Sequence, residues 1–376
     1  MVETIGPVYI SSNKRTDGSR LALNVKNGAC AYIGETLVKA IKAGTLEPGS
    51  RESRFFSDED TVSAQAAVIP QLSLELTTAC NLRCPYCYQL AWSSSKTVSD
   101  ETVEAFAEAA LEISEKEDVS GIDIELIGGE PMIAASKIVN LARLLRSHNV
   151  NWRAILSTNG MFDMRRVFSE IDALTCVVCL TLPEDNMRMR YMKGTDTSAK
   201  IVENISQLKT HRGQRVSLRY NVHRRNAENF AEYLDWIESC ELDAVDGICT
   251  ARIDTKHNPQ CGVEPLSNEE YDAWQQQVAL PALIDHGWPP PVSLLGVRGP
   301  CRAHAPYSFK VLYDGTVVPC VFFCADERTS GNAIPRHNIN MREVAQDVNR
   351  IQSVFPNVKK NPKESMQCQQ CEFRYT

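Results

Sequence analysis

Apolar residues follow two alternating spacings through the middle of the chain. Short runs rich in β-branched residues, typical of buried strands, are separated by longer segments whose apolar residues recur every three or four positions, typical of amphipathic helices. The pattern predicts six strands: Leu72–Thr78, Ile122–Ile127, Trp152–Thr158, Leu174–Leu182, Arg215–Val222 and Val245–Ile253. It predicts five intervening helices: Glu101–Ile113, Lys137–Leu145, Met164–Ile171, Ala199–Leu208 and Ala227–Ile237.

Strands that alternate with helices pair in parallel through crossover connections. The chain is therefore predicted to be an α/β protein with either an open doubly wound sheet or a barrel. In both architectures ligands bind at the carboxyl ends of the strands. Cys80, Gly128 and Asn159 each come just after one of the first three predicted strands, so we expect them to meet at one rim.

Different patterns flank the strand–helix series. The stretch "RLALNVKNGACAYIG" predicts a hairpin with Gly28 in its turn, and a short helix at Glu35–Ala43 precedes a polar linker. A second group of cysteines begins at Cys301. We therefore divide the chain into an N-terminal hairpin, helix and linker, a core, a connecting segment and a second cysteine region, with bounds 1–70, 71–255, 256–300 and 301–376.

The composition narrows the class of protein. The 376 residues are 43% hydrophobic, enough for a sizeable core, and the formal net charge of -7 is opposite to the basic excess of general nucleic-acid binders. We therefore expect no nucleic-acid partner. Because no run of about 18 apolar residues occurs and the first residues lack a secretory-signal pattern, we expect a cytoplasmic, soluble protein with no membrane partner.

Cysteine is the chemically distinctive residue of this chain. It occurs 14 times, and thiols grouped at short spacings in a reducing compartment indicate metal ligation rather than disulfides. The stretch "ACNLRCPYCYQ" places Cys80, Cys84 and Cys87 in a C-x3-C-x2-C arrangement with no fourth cysteine beside them. Zinc usually takes four protein ligands, whereas three thiolates on a four-iron cluster leave one iron open. The spacing therefore favours an iron–sulfur cluster, with a zinc site as the alternative.

This loop closely resembles that of the radical S-adenosylmethionine (SAM) superfamily, which has the form C-x3-C-x-aromatic-C after the first strand, with Tyr86 as the aromatic residue here. The resemblance implies a partial (β/α)6 TIM-like barrel and a 4Fe–4S cluster held by the three cysteines. It also implies that SAM chelates the open iron and is reductively cleaved to methionine and a 5'-deoxyadenosyl radical, which abstracts a substrate hydrogen. A reductant such as flavodoxin or ferredoxin would supply the electron.

The stretch "GGEP" after the second predicted strand comprises Gly128, Gly129, Glu130 and Pro131. Two glycines at this point let the backbone approach a ligand closely, and proline fixes the exit of the loop. The stretch resembles the GGEP motif of the superfamily, whose backbone and glutamate contact the amino group of SAM. An ordinary strand-to-helix turn is the alternative.

Further SAM contacts are expected after the third and fourth predicted strands. Ser157 and Asn159 lie where the superfamily places polar contacts to SAM, although asparagine is also an ordinary turn former. Thr181 and Arg190 best match the family residues that hold the SAM carboxylate. Arg188 is a close competitor for this role, and a solvated surface arginine is the alternative. The sequence has "TLPE" where the family commonly has "SxDG", so the local turn differs.

Two strands carry further candidates. Arg219 and Asn221 share one face of the fifth predicted strand, and the resemblance places this strand near the adenosine or the substrate. Cys176 and Cys179 have three-residue spacing within an apolar strand, which points them to opposite faces, so we expect buried apolar thiols. The cysteines without ligand spacing are Cys30, Cys240, Cys249 and Cys261.

A second set of thiols lies near the C-terminal end of the sequence. Cys301 and Cys320 flank two short strands joined by an Asp-Gly turn, a predicted hairpin that brings both thiols together, and Cys368 and Cys371 add a C-x2-C pair. This arrangement resembles the SPASM/Twitch extension of radical SAM enzymes in its one-cluster form. The resemblance implies an auxiliary 4Fe–4S cluster that relays an electron, with a zinc knuckle as the alternative. Cys324 is an additional thiol that could replace a ligand.

Three functions are compatible with these patterns. The first is modification of a ribosomally synthesised precursor peptide by crosslinking, epimerisation, decarboxylation or excision, with the N-terminal hairpin binding a leader peptide through an exposed strand edge. The second is oxidation of a small molecule, such as an alcohol of an aminocyclitol. The third is a non-enzymatic zinc-binding adaptor. The auxiliary-cluster pattern and the N-terminal hairpin favour a peptide partner.

Overall fold

The computed structural model describes residues 3–5, 8–11, 18–24, 30–46, 69–87, 89, 95–116, 119–190, 192, 196–253, 255, 260–291, 307–318 and 341–346. The candidate auxiliary ligands Cys301, Cys320, Cys368 and Cys371 lie outside the described residues, as does Cys324. No helix within the described ranges is long and apolar enough to cross a membrane.

The N-terminal part forms a four-stranded antiparallel sheet, larger than the predicted hairpin. Its strands, hydrogen-bonded in chain order, are β1 (Glu3–Ile5), β2 (Val8–Ile10), β3 (Arg20–Asn24) and β4 (Cys30–Ile33). The predicted hairpin is the β3–β4 pair, whereas β1 and β2 are too short to show an alternation in sequence. Helix α1 (Glu35–Ala43) has the predicted bounds and ends at Gly44, whose φ of 64° is left-handed backbone that glycine adopts readily.

The middle of the chain forms the parallel sheet that the apolar pattern predicts. Its strands are β5 (Gln71–Glu75), β6 (Ile122–Ile127), β7 (Trp152–Thr158), β8 (Leu174–Cys179), β9 (Gln214–Val222) and β10 (Val245–Arg252). The intervening helices are α2 (Asp100–Ser114), α3 (Ala135–Ser147), α4 (Arg165–Glu170), α5 (Pro183–Met189), α6 (Thr197–Ser206) and α7 (Phe230–Ser239). Each strand pairs in parallel with the next along the chain. This α/β fold is the partial (β/α)6 barrel expected from the sequence.

The apolar core lies between this sheet and the helices. Leu72 and Leu74 of β5 are fully buried in the same cluster as Phe106 of α2. Because side chains alternate along a strand, Ser73 and Glu75 point to the other face of β5, towards the inside of the barrel. The barrel interior therefore carries polar groups that the helix-facing side does not.

Within the described residues 260–291, two short α-helices pack on the barrel and are joined by a π-helical turn at Gln275–Ala279. They are α8 (Asn268–Trp274), which begins with a capping box at Ser267 and Glu270, and α9 (Leu280–Asp285). Trp274 packs edge-on against Phe230 with ring centroids 5.3 Å apart. Its Nε1 also donates a 2.7 Å hydrogen bond to the carbonyl of Ala227. Aromatic packing thus fixes this segment to α7.

The predicted C-terminal hairpin is present and extends the barrel sheet. It consists of β11 (Phe309–Val311) and β12 (Val317–Val318), paired antiparallel, with Gly315 at a φ of 83° in the turn. β11 pairs in parallel with β5, which gives an eight-stranded order β10-β9-β8-β7-β6-β5-β11-β12. The sequence predicts the hairpin but not this attachment. A further helix, α10 (Met341–Gln346), packs beside α2 and forms an ion pair between Arg342 and Glu108.

A buried ion pair joins the hairpin to the barrel. The Lys310 Nζ lies 3.5 Å from the Glu75 Oε1, and the side chains are 0% and 3% exposed. Burial raises the pKa of Glu75, and the charge of Lys310 offsets part of that rise. Because a buried charge without a partner is costly, each residue depends on the other.

Candidate functional site

A cavity of about 320 Å³ opens at the carboxyl ends of the parallel strands. Its lining brings together residues that the sequence predicts separately: Cys80, Cys84, Tyr86, Cys87, Gly128, Gly129, Glu130, Ser157, Asn159 and Arg190. The lining also includes residues that the sequence analysis does not assign to the site, among them Glu125, Cys179 and Arg252. Pro131 directly follows Glu130 in the chain, and Thr181 lies just past β8. Both side chains are buried, but neither lines the cavity.

The three-cysteine loop is held by backbone and side-chain hydrogen bonds. Thr77, just past β5, accepts a 3.1 Å hydrogen bond from the Ala79 N–H through its Oγ1, which starts the loop. A 3.1 Å bond from the Cys87 N–H to the Cys84 carbonyl closes the turn around Pro85 and Tyr86. The turn brings the second and third cysteines to the same wall of the cavity.

Burial shapes the chemistry of these thiols. Burial raises the pKa of Cys84 to about 12 and also raises the pKa of Cys80. Neutral thiols are therefore favoured until a metal displaces their protons, because metal ligation requires the thiolate. Three sulfur donors on one loop beside a cavity with backbone and arginine donors suit a 4Fe–4S cluster with SAM at its open iron.

The two glycines of the GGEP loop allow it to lie directly against the cysteine loop. The Gly129 N–H donates to the Thr77 carbonyl at 2.7 Å, and the Glu130 N–H donates to the Ala79 carbonyl at 2.8 Å. A Cβ on Gly128 would approach the Thr77 carbonyl oxygen to 2.4 Å, and one on Gly129 would approach the Ala79 carbonyl oxygen to 2.3 Å. Both glycines also line the cavity, so they make room for neighbouring backbone at the place where a close approach of a ligand is predicted.

The carboxylate of Glu130 joins the GGEP loop to the end of β7. It is 1% exposed and accepts hydrogen bonds from the Thr158 Oγ1 at 2.6 Å, the Asn159 N–H at 2.7 Å and the Met132 N–H at 3.0 Å. Burial raises its pKa, and these hydrogen bonds partly counter that rise. The side chain therefore fixes the end of β7 against the GGEP loop.

Arg190 lies at the end of α5 and is 3% exposed. Its Nη2 donates a 3.0 Å hydrogen bond to the Asn159 carbonyl, while its Nε has no hydrogen-bond partner among the described residues. Arg188 is exposed and does not line the cavity. The two arginines that the sequence could not separate therefore differ in position, and only Arg190 faces the site. The Thr181 Oγ1 is buried and also has no partner within the described part of the chain.

The expectation that Cys176 and Cys179 are both apolar thiols is wrong for Cys179. Cys176 is fully buried beside the Met164 Sδ at 3.7 Å, as expected. Cys179 instead lines the cavity and accepts hydrogen bonds from Arg219, at 2.7 Å from Nη2 and 3.1 Å from Nε. Burial alone would raise the pKa of Cys179, but the charges of Arg219 and Arg190 and hydrogen bonds from both outweigh burial and lower it.

Other cavity residues come from the last two barrel strands. Asn221 of β9 donates a 3.2 Å hydrogen bond to the Tyr86 hydroxyl, which links this strand to the cysteine loop as the shared face with Arg219 suggests. Arg252 at the end of β10 donates to the Leu266 carbonyl at 2.9 Å. The sequence could have identified Arg252 by its position at the end of the sixth strand of the parallel sheet, where ligands bind.

Comparison with known proteins agrees with this geometry. Residues 74–237 match the family model of the radical SAM superfamily, a stretch that includes the cysteine loop and the GGEP loop. No curated protein matches the sequence. A solved structure of native anSMEcpe with bound AdoMet and Cp18Cys peptide is similar at 19% identity and a TM-score of 0.59, covering 81% of this chain and 88% of that one.

Structures of the Streptococcus suis protein SuiB cover more of the chain. SuiB bound to the precursor peptide SuiA is 12% identical with a TM-score of 0.57, and the match covers 99% of this chain and 93% of that chain. SuiB bound to S-adenosylmethionine gives the same identity and TM-score. At these identities the likeness concerns the fold.

Proposed function

We propose that this chain is a radical SAM enzyme that modifies a ribosomally synthesised precursor peptide. The observation that carries the proposal is the meeting of Cys80, Cys84 and Cys87 with the GGEP loop around one cavity, within the stretch that matches the radical SAM family model. A loop with three sulfur donors beside a cavity matches a cluster that must keep one iron open for a second ligand.

In this proposal the three cysteines hold a 4Fe–4S cluster, and SAM binds beside it. The SAM site comprises Tyr86, Gly128, Gly129, Glu130, Pro131, Ser157, Asn159, Thr181 and Arg190. When bound, the cluster and SAM supply a 5'-deoxyadenosyl radical that takes a hydrogen atom from the substrate. Arg190 supports the assignment because its buried Nε–H is a donor suited to an anionic group such as a carboxylate. Glu130 contributes to this site by holding the GGEP loop against the end of β7, because its carboxylate accepts three internal hydrogen bonds.

A peptide substrate is supported by the similar solved structures and by the N-terminal sheet. The structures of anSMEcpe and SuiB contain a peptide and a precursor peptide, respectively. In the four-stranded sheet, β1 and β4 are the outer strands, and an outer strand offers unpaired backbone groups to an extended leader peptide.

We also propose that Cys301, Cys320, Cys368 and Cys371 bind an auxiliary 4Fe–4S cluster that exchanges an electron with the substrate radical. The hairpin formed by β11 and β12 supports this arrangement because it lies between the first two of these cysteines in sequence. We propose the same four parts of the chain as above: the N-terminal region and linker at 1–70, the core at 71–255, the connecting segment at 256–300 and the second cysteine region at 301–376. The proposed class of reductant is a flavodoxin or a ferredoxin.

The central test replaces Cys80, Cys84 or Cys87 with alanine, one at a time, and measures iron content and 5'-deoxyadenosine after anaerobic reconstitution with SAM and dithionite. We expect the native chain to form 5'-deoxyadenosine and each variant to lose it, because the cluster needs all three thiolates. Cys176→Ala is the matched control, since that thiol lies outside the cavity. A native chain that binds zinc and no iron would contradict the proposal.

The peptide substrate is tested separately. Precursor peptides encoded beside the gene are added to the reduced enzyme, and 5'-deoxyadenosine formation and peptide mass are followed together. We expect both to change with one peptide. Enzyme that cleaves SAM but responds only to small alcohols would instead support oxidation of a small molecule.

A further inference from the structure

Inside the barrel, one carboxylate faces the cavity and has no cationic partner among the residues that the structure describes. Glu125 lies in the middle of β6, lines the cavity and is only partly buried. Its Oε2 accepts a 2.9 Å hydrogen bond from the Ser73 hydroxyl, and its Oε1 makes no hydrogen bond to any described residue. No lysine, arginine or histidine in the described ranges forms an ion pair with it.

Two neighbouring glutamates have stronger or more numerous protein partners than Glu125. Glu75 is paired with Lys310 across the junction of β5 and β11. The carboxylate of Glu130 accepts three internal hydrogen bonds. Glu125 has neither the ion pair of Glu75 nor the three hydrogen bonds of Glu130, because its one protein partner among the described residues is the Ser73 hydroxyl. A carboxylate that is partly removed from water lacks the compensation that an opposite charge provides, and a bound cation would supply it.

Two of the three arginines that line the cavity lie on a different part of its wall from Glu125. Arg219 belongs to β9 and Arg252 to β10, and β7 and β8 separate these strands from β6. At about 4.8 Å between neighbouring strands, β9 is about 14 Å from β6 along the sheet. The third cavity arginine, Arg190, follows α5 and bonds the Asn159 carbonyl. Arg219 and Arg252 are therefore far from Glu125 along the sheet, whereas Arg190 lies at the rim beside the end of β7.

Depth separates Glu125 from the GGEP loop. It precedes Gly128 by three residues along a strand, a distance of about 10 Å at the usual rise of 3.3 Å per residue. Its partner Ser73 is likewise inside β5 and pairs with Glu125 in the parallel register. The carboxylate thus lies deeper in the barrel than the GGEP loop and the cysteine loop, which occupy the rim.

We propose that Glu125 is the specificity residue that binds a basic side chain, a lysine ammonium or an arginine guanidinium, of the modified peptide. The inference rests on the proposed function, because it assumes that a peptide enters this barrel. Ser73 is a positioning residue that turns the Oε1 of Glu125 towards the cavity by bonding Oε2. The peptide segment bound in the barrel therefore carries a basic residue beside the site of reaction.

The test measures binding to the SAM-loaded, cluster-reconstituted full chain without reductant. The probes are two capped pentapeptides of alanine with either lysine or norleucine at the centre, which differ in charge but hardly in length. By calorimetry we expect the native chain to prefer the lysine peptide by about tenfold, a usual value for a partly buried ion pair, and Glu125→Gln to abolish the preference. Asp123→Asn is the matched control, because Asp123 lies on the same strand but pairs with Arg153 outside the cavity.

Ser73→Ala provides a second variant that keeps the carboxylate. It should reduce the lysine preference without removing it, and Ser73→Thr should restore it, whereas a purely structural role would weaken both peptides equally. The inference is overturned if the native chain has no preference, if Glu125→Gln leaves the preference intact, or if Glu125→Gln weakens SAM binding instead.

Failure of the proposed function gives a different result. Dithionite is added to the same samples, and 5'-deoxyadenosine is measured. If the chain prefers the lysine peptide through Glu125 but never cleaves SAM, the proposed radical chemistry is wrong and the cation site at Glu125 is supported. If the chain cleaves SAM but binds both peptides equally, the proposed role of Glu125 is wrong and the proposed SAM chemistry is supported.

Discussion

At the scale of single residues, hydrogen-bond partners decide what each polar group of the cavity can do. Two thiols three positions apart on β8 have opposite environments, because Cys179 meets the guanidinium of Arg219 and Cys176 meets the apolar core. Glu125 and Glu130, the two glutamates that line the cavity, also differ in their partners, because Glu130 accepts three hydrogen bonds and Glu125 accepts one from the described residues. Residue type alone would not separate the members of either pair.

The pair of thiols gives a direct prediction. Iodoacetamide at pH 7 should alkylate Cys179 faster than Cys176, because the pKa of Cys179 is lowered whereas burial raises that of Cys176. Arg219→Met should slow the reaction of Cys179 about tenfold, since the thiolate loses its charge partner. Peptide mapping by mass spectrometry reads out both sites. Equal labelling of the two thiols, or no effect of Arg219→Met, would contradict the assignment.

At the scale of elements, the site is built from loops that follow parallel strands and bind each other. Gly128 and Gly129 belong to the GGEP loop but contact the backbone that leads into the cysteine loop. The sequence alone locates both loops, because the strand before each loop, the glycine pair of one and the cysteine spacing of the other are local patterns. Their mutual contact depends on β5 and β6 being neighbours in register, which is a property of the sheet.

Gly129→Ala should separate these loops. The added Cβ would lie 2.3 Å from the Ala79 carbonyl oxygen, so we expect a loss of about 2 kcal/mol in unfolding free energy and poorer iron incorporation. Chemical denaturation and iron analysis measure the two effects. The control is Gly34→Ala, because a Cβ there has no atom within 4 Å. Normal iron content in Gly129→Ala would show that the loops tolerate separation.

At the scale of the whole molecule, the hairpin within residues 307–318 extends the sheet of the barrel. β11 pairs with β5, the strand that precedes the cysteine loop, and Lys310 places its charge beside Glu75. A substitution in the hairpin can therefore affect β5, the first strand of the barrel, through this strand pairing and this ion pair and not through the cavity.

Removing one member of this ion pair should be costly. Lys310→Met leaves Glu75 buried without a counter-charge, so we expect a loss of about 3 to 5 kcal/mol in unfolding free energy. Adding Glu75→Gln should recover most of it. The pKa of Glu75 is already raised, and a group with a raised folded pKa loses stability as the pH increases through that value, so the defect of Lys310→Met should be smaller at pH 6 than at pH 8. Urea denaturation at both pH values checks this, and equal stability of the single and double variants would refute it.

The proposed auxiliary cluster gives the last prediction. Replacing Cys368 and Cys371 together with alanine should lower iron content by about four ions per chain, one cluster, and abolish product while SAM cleavage continues. Iron analysis, 5'-deoxyadenosine and product mass are measured on one preparation. Retained product in the double variant would reject an electron-relay role, and unchanged iron would reject these ligands.

The sequence by itself determined the strand–helix order, the cysteine loop, the GGEP loop and the C-terminal hairpin, because each depends on residues close together in the chain. Helix α5 escaped prediction since it spans only Pro183–Met189 and directly follows a strand. Tertiary structure alone decided that Cys179 faces Arg219 and that Lys310 meets Glu75. It also decided that the carboxylate of Glu130 accepts three hydrogen bonds while that of Glu125 accepts one from the described residues. These pairings join residues far apart in sequence, and strand order and register determine which of them meet.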